Sequence, residues 1–451
     1  MYDNYYFIGI GGIGMSALAR YFKYIGKNVS GYDHTPSRLT AQLESEGIMV
    51  HYDDRPDLVP INVDKTFVIY TPAIPETLGE LQFVREKGYS ICKRSRALGE
   101  IASDKDCLAV SGTHGKTTTS TLLAHIFTSA TQQKCTAFLG GISKNYHTNL
   151  LMSHSDVLVA EADEFDRSFL QLHPKIAVVT AIDADHLDIY GTHEAVKEAF
   201  AQFASQVAAD GYVVAKLGAD LDTSGIKAKV LRYNYDKPCD FYASDITPLE
   251  GGYFSFTLNH PGGRIAGCKV GIPGWVNVEN AVAASAVALL YGVEPEAIRQ
   301  AVATFSGVER RFDIHVNTPR VAYIDDYAHH PAEIASAISS IREIFAGRNL
   351  CGIFQPHLYT RTRDFADEFA AALSGLDSLI MLPIYPAREL PIEGVNSEMI
   401  LDKVTIKDKM LVEKAQLMDT IKSRKIDCLV TFGAGDVDRF VPQIEEYLKN
   451  V

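Results

Sequence analysis

Apolar residues in this chain gather in short runs separated by stretches with helical spacing, rather than alternating with polar ones. The runs at 5–10, Asn28–Tyr32, Thr66–Tyr70 and Tyr89–Cys92 read as strands, with an Ala- and Leu-rich helix through Phe22 after the first. Uninterrupted apolar strands alternating with helices predict a parallel sheet buried on both faces. That rhythm closes in the polar Ser103-Asp104-Lys105-Asp106. A second rhythm has an apolar run from Cys107, strands at Val157–Ala160 and Ile176–Thr180, and a helix over Glu194–Ala208. Between 227 and 270 short strands alternate with Glu250-Gly251-Gly252 and His260-Pro261-Gly262-Gly263, which predicts an antiparallel patch on the second domain. A long Ala-rich helix follows, from about Val278 to Tyr291. After Glu309-Arg310-Arg311-Phe312 a third rhythm places strands at Val321–Asp325, Cys351–Gln355, Ser378–Leu382 and Cys428–Phe432. The whole reads as an α/β protein of three domains: 1–103, 104–309 and 310–451.

Two of the predicted strand-to-helix turns are rich in glycine. Gly112-Thr113-His114-Gly115-Lys116-Thr117-Thr118-Thr119 ends an apolar run and opens a helix. Glycines there bring backbone N–H groups to phosphate oxygens, Lys116 adds a point charge, and Thr117 is suited to ligate Mg²⁺. Val110 stands where the commonest phosphate-loop pattern has its first glycine, so the glycine spacing is shorter here. Gly9-x-Gly11-x-x-Gly14, followed by Asp33, fits a dinucleotide fingerprint. Its physics specifies only a diphosphate at a helix start and a hydroxyl near an acid. NAD and a UDP-sugar both satisfy it.

Polar clusters follow several strands. Glu161-Ala162-Asp163-Glu164-Phe165-Asp166 supplies a carboxylate, Glu161, beside the phosphate loop, where a metal ligand belongs. Asp183-Ala184-Asp185-His186-Leu187-Asp188 offers His186 for metal or phosphate. Asp325-Asp326-Tyr327-Ala328-His329-His330-Pro331 and Gln355–Asp364 come off consecutive strands, as a substrate pocket would. The net charge of −13 argues against nucleic-acid binding. Seven scattered cysteines without a CxxC pair, no membrane-spanning apolar run and no leader-like N-terminus point to a cytoplasmic protein.

In their order these motifs resemble those of the Mur ligases over essentially the whole chain. The resemblance implies an N-terminal Rossmann-like domain for a UDP-sugar, a central P-loop ATPase domain and a C-terminal Rossmann-like domain for an amino acid. Gly-Thr-His-Gly-Lys-Thr and Asp-Asp-Tyr-x-His-His-Pro match the branch that joins L-alanine to UDP-N-acetylmuramate. It further implies ATP at Gly112, Thr113, His114, Gly115, Lys116, Thr117 and Thr118, with Asn277 and Asn280 on the adenine side. Arg311 and Asp326 would reach the nucleotide from the third domain. Gly11, Gly12, Gly14, Met15, Ser16, Asp33 and Thr71 would hold the UDP-sugar, and Tyr327, His329 and Arg361 the alanine. Lys116, Glu161, His186 and Arg311 would be catalytic. Two Mg²⁺ ions would bind at Thr117, Glu161 and His186, with Mn²⁺ able to substitute. The implied protein is a monomer or weak homodimer with no membrane insertion. A sister ligase that attaches a recycled peptide remains the alternative within the family. Three positions depart from its pattern: Val276 follows Trp275 where a histidine is common, Ala181 replaces an asparagine, and Leu358 replaces an arginine.

Overall fold

The structure, a computed structural model, describes residues 2–130, 134–184, 187–387 and 389–450. The chain forms two compact units. One comprises Met1–Pro248, Phe254–Ile272 and Val276–Val308; the other comprises Leu249–Tyr253, Pro273–Trp275 and Glu309–Val451.

The first unit holds two sheets. Five parallel strands lie in the order Met49–His51, Asn28–Tyr32, Asn4–Ile8, Thr66–Tyr70, Ser90–Lys93. The winding reverses at Asn4–Ile8, so the loop after it opens at the switch point where such sheets take ligands. Side chains of this strand alternate between two cores. Phe7 joins Met15, Leu18 and Phe22 of the helix Ile13–Tyr24, whereas Tyr6 and Ile8 join Val68, Leu81 and Val84.

The larger sheet has at its centre Asp106–Ser111, flanked in parallel by Ile176–Val179 and Val157–Glu161. Cys107 and Ala109 face the core shared with Phe7 and Met15, while Leu108 and Val110 face the other side with Leu122 and Leu123. One apolar cluster therefore runs from the first sheet into the second. The stretch expected as an antiparallel patch is instead the edge of this same sheet. Lys229–Asn234 and Phe241–Pro248 continue it in parallel, and Phe254–His260 and Gly263–Lys269 close it antiparallel. Phe241, Ala243, Phe254, Phe256 and Leu258 put one apolar face on the main core, which is why the hairpin joins rather than stands apart.

In the second unit the order is Asp313–Asn317, Ala322–Asp326, Cys428–Phe432, Leu350–Phe354, Ser378–Met381, Asp408–Leu411, all parallel except the first. The last strand in sequence inserts between Ala322–Asp326 and Leu350–Phe354, bringing the loops after all three to one edge. All seven cysteines are unpaired. Among the described residues no helix is long and apolar enough to cross a membrane.

Candidate nucleotide and substrate sites

The phosphate loop is set by its backbone. Gly112 has φ +131°, and a Cβ there would sit 2.0 Å from Thr180 Oγ1. Thr180, at the end of the neighbouring strand, donates its N–H to Ser111 O at 3.0 Å and its hydroxyl to His114 O. Thr113 N–H donates to Ala181 O at 3.1 Å, and its hydroxyl donates to Asp183 at 3.0 Å. Only backbone is asked of Ala181 in this seam, so the missing asparagine side chain leaves it intact. His114 Nε2 lies 3.5 Å from the same Asp183 carboxylate.

Lys116 opens the helix Lys116–Ala130 and folds back on the loop. Its ammonium donates to Gly112 O at 2.6 Å and to Glu164 at 2.8 Å, and the Glu164 side chain is 1 % exposed. Burial pulls the lysine downward, but Glu164, Asp163 and Glu161 outweigh it and hold it above its ordinary value. The same burial lifts Glu164, which Lys116 only partly offsets. Thr117 is buried and Thr118 half-buried in the first turn. Two successive glycines of the strand Thr136–Ser143 make room here. A Cβ on Gly140 would lie 2.2 Å from the Glu161 carboxylate, and one on Gly141 would lie 3.1 Å from the Thr117 methyl. Each glycine thus leaves room for one neighbour, Gly140 for the Glu161 carboxylate and Gly141 for the Thr117 methyl. Asn280, on the helix Trp275–Tyr291, accepts from Thr119 at 3.2 Å and donates to Asn277 at 3.2 Å. The two asparagines expected on the adenine side are thereby tied to the helix that follows the second glycine loop.

The first glycine loop is built differently. Gly9 has φ +87°, and the Thr71 methyl lies 2.5 Å from where its Cβ would be. Asp33 accepts from Gly11 N–H at 2.7 Å and from Thr35 N–H at 3.2 Å, so it closes the turn that it follows. Gly12 caps the helix with no side-chain bond, and Gly14 lies under the Arg94 guanidinium, 2.8 Å from a would-be Cβ. Met15 and Ser16, expected at the sugar, are buried at the start of this helix. They are 2 % and 0 % exposed, and the Ser16 hydroxyl donates to Ile13 O and accepts from Asn149 Nδ2 at 2.9 Å, joining the two sheets.

In the second unit Arg310 and Arg311 stack on Tyr327 at 5.1 and 5.2 Å. Arg310 also ion-pairs with Asp325 at 3.3 Å and donates to Gly433 O at 2.5 Å. Asp326 accepts from Phe312 N–H at 3.0 Å and Ala328 N–H at 2.8 Å. Burial raises its carboxyl to about 6, against the pull of those N–H groups and of Arg311. His329 Nδ1 lies 3.0 Å from Tyr327 O, and burial takes the ring down to about 4, aided by the nearby Arg361 cation. Tyr327, Asp326, His329 and Arg361 therefore gather at one edge. Leu358, where arginine was expected, starts the helix Tyr359–Asp364 with φ +72°, a strained conformation for leucine.

His186 lies outside the described residues. Among the described residues no group of three or more His, Cys, Asp or Glu side chains gathers as for a metal. Sequence reasoning missed Glu164 as the partner of Lys116, and it missed Gly140-Gly141 and Arg94. The acidic motif flagged Glu164, but choosing among its carboxylates needs the strand end from which the loop leaves.

A parallel sheet whose central strand runs into a glycine loop, a buried lysine and a threonine-rich helix defines a phosphate-loop nucleotide-binding α/β protein. The comparison with known families is more specific: the chain belongs to the Mur ligases. The Mur ligase family catalytic domain matches residues 4–106, the Mur ligase middle domain 110–288, and the Mur ligase glutamate ligase domain 310–435. The UDP-N-acetylmuramate–L-alanine ligase of Parabacteroides distasonis is 51% identical over 449 residues, 98% of this chain and 96% of that protein. That of Porphyromonas gingivalis is 49% identical, covering 99% of each. The crystal structure of the UDP-N-acetylmuramate-alanine ligase of Thermotoga maritima superposes with a TM-score of 0.84 at 28% identity, covering 99% of this chain and 100% of that one. A murein peptide ligase from Psychrobacter arcticus shares the fold, with a TM-score of 0.74 at 22% identity and coverage of 100% and 99%.

Proposed function

We propose that this chain is an ATP-dependent ligase that joins L-alanine to the carboxylate of UDP-N-acetylmuramate in peptidoglycan precursor synthesis. The observation that carries the reading is the full-length likeness to proteins of that name, at 51% identity. The partly buried, charged Lys116 on a phosphate loop, paired with the buried Glu164, supports it. A carboxylate is a poor acyl donor, so its oxygen attacks the γ-phosphorus of ATP, giving an acyl phosphate and releasing ADP. The neutral amine of alanine then attacks the acyl carbon, loses a proton, forms the amide and expels inorganic phosphate. Lys116 and Arg311 neutralise the transferring phosphoryl group. Gly112–Thr118 cradle the phosphates, and Asn277 and Asn280 lie on the adenine side. Asp326 serves the nucleotide, and Tyr327, His329 and Arg361 the amino acid.

Thr117 and Glu161 fit a divalent cation by the chemistry of their oxygen donors, a hydroxyl in the first turn of the helix Lys116–Ala130 and a carboxylate that ends the strand Val157–Glu161 beside the strand leading into the phosphate loop. Mg²⁺, in two ions with His186 as a further ligand, would supply positive charge to the phosphate oxygens; Mn²⁺ substitutes. Gly11, Gly12, Gly14, Met15, Ser16, Asp33 and Thr71 form the UDP-sugar cradle. The domains divide at 1–103, 104–309 and 310–451, and the protein works in the cytoplasm as a monomer or weak homodimer.

The test is phosphate release from Mg·ATP with UDP-N-acetylmuramate and, separately, L-alanine, glycine, L-serine or a tripeptide. Release that needs both the sugar nucleotide and L-alanine is expected. Turnover with the tripeptide alone would make the chain a peptide-recycling ligase, and silence with every acceptor would remove the ligase reading.

A further inference from the structure

Leu358 opens the helix Tyr359–Asp364 with φ +72°, in the left-handed region where leucine is strained. A leucine offers the first turn no side-chain acceptor, so the N–H groups of that turn need partners from elsewhere in the chain. The segment after the strand Ser378–Met381 supplies them. Leu358 N–H donates to Tyr385 O at 3.0 Å, and Tyr385 N–H donates to Pro356 O at 2.8 Å. Glu389 then makes a two-point contact: one carboxylate oxygen accepts from Thr360 N–H at 3.0 Å and the other from the Thr360 hydroxyl at 2.5 Å. Glu389 is itself aimed by a turn in which its N–H donates to Pro386 O at 2.9 Å and Ala387 is held at φ +49°.

Arg361 follows Thr360 directly in this helix, and its cation stands close enough to His329 to help lower that ring. Arg363, the other cation of the helix, is half exposed and turns to Asp364 at 2.7 Å. Leu358 occupies the place where the family pattern has arginine, so Arg361 is the guanidinium this helix has left for the edge shared with His329. A helix of six residues has little stiffness of its own, and its placement depends on what holds its ends. The carboxylate of Glu389 grips both the backbone and the side chain of the residue just before Arg361, which fixes the start of the helix and its orientation.

We infer that Glu389 is a positioning residue for amino-acid capture: through Thr360 it fixes the helix that presents Arg361 to the carboxylate of the incoming amino acid. Its own carboxylate is engaged by Thr360, so it acts through the helix rather than on the ligand. The inference rests on the ligase reading above, with Arg361 serving the amino acid.

The experiment is steady-state phosphate release by the full-length chain, with L-alanine, Mg·ATP and UDP-N-acetylmuramate varied in turn. Glu389→Ala should raise the KM for L-alanine about tenfold or more, keep kcat within about threefold, and leave the other two KM values unchanged. Glu389→Gln keeps an oxygen to accept from Thr360 N–H and should fall between the wild type and Glu389→Ala. Thr360→Ala, which loses only the hydroxyl, should raise the KM for L-alanine about threefold or more. Added to Glu389→Ala it should raise that KM no further, because the carboxylate acts through Thr360. A general loosening of the fold would move all three KM values together; thermal melting checks that each variant folds. If Glu389→Ala does not fold, Thr360→Ala decides alone, by whether its rise is confined to L-alanine. An unchanged KM for L-alanine in a folded Glu389→Ala protein, a rise shared by all three substrates, a Glu389→Gln protein no better than Glu389→Ala, or additive effects in the double variant overturns the inference and leaves the ligase reading standing. A wild type that releases no phosphate with L-alanine overturns both.

Discussion

Burial has opposite consequences at the phosphate loop and at the strand-end cluster of the second unit. Around Lys116 it is answered by three carboxylates, so the ammonium stays charged where a phosphate is expected. Around Asp326 and His329 it is not answered. The carboxyl is raised to about 6 and the imidazole lowered to about 4, although Arg311 and Glu333 stand nearby. Loss of water alone does not decide the state of an active-site group; what replaces the water does. A phosphate loop needs a permanent cation. An amino-acid pocket is better served by a neutral ring that can accept a hydrogen bond from an incoming ammonium.

The most direct way to break the contrast is Lys116→Ala. It removes the cation and strands Glu164, which is 1 % exposed. Phosphate release should fall by about three orders of magnitude or more, the scale of losing a preorganised charge at a transition state. Urea melts of the same variant should lose about 3 kcal/mol, from the uncompensated carboxylate. Full turnover by Lys116→Ala would refute the assignment.

Gly112→Ala tests whether the loop's shape or its charge comes first. The new methyl meets Thr180 Oγ1 at 2.0 Å with φ at +131°, so we expect a loss of about 3 kcal/mol and of nucleotide binding. Gly11→Ala should cost less, because its obstacles are side chains only, the Thr40 methyl at 2.7 Å and the Asp33 carboxylate at 2.8 Å, whereas at Gly112 backbone nitrogens of Thr180 and Ala181 also lie within 2.9 Å. Equal losses, read from denaturation midpoints, would contradict this ordering.

The contrast sharpens with pH. Asp326, raised when folded, makes the native state bind more protons than the unfolded chain between about pH 4 and 6, so its contribution falls as pH rises. His329, lowered when folded, does the reverse between about pH 4 and 6.5, so its contribution grows as pH rises. The two oppose each other in the wild type. Asp326→Asn should make stability climb more steeply with pH across this window, and His329→Gln should make it fall, each by about 1–3 kcal/mol. Identical profiles for both variants would show that burial does not control these groups. The smallest effect belongs to Arg55→Ala. Its pair with Asp57 is exposed and screened by solvent, so the melting midpoint should stay at the wild-type value within error.

Much of the scaffold was legible because buried parallel strands carry long apolar runs. Asn28–Tyr32, Thr66–Tyr70 and Cys428–Phe432 stand where the pattern put them. Thr136–Ser143 was not visible, since Gly140-Gly141 interrupt its pattern for the sake of Glu161. Asp408–Leu411, an edge strand, mixes charged and apolar residues and so carries no run. At the sites, the two glycine loops could be read locally, because a tight turn before a helix is written in consecutive residues.

The partners of those loops could not be read that way. Asp33 was placed near the loop by its spacing, and only the fold shows that it accepts from Gly11 N–H. Ser16 was placed at the loop by its motif, and only the fold shows that its hydroxyl accepts from Asn149 Nδ2. The sequence alone determined the α/β class, the two glycine turns that open helices, and the residue types available for charge. Only the tertiary structure decided which carboxylate faces Lys116 and that Arg94 reaches Gly14. Those pairings join residues 48 and 80 positions apart, and the strand order, not local spacing, sets such distances.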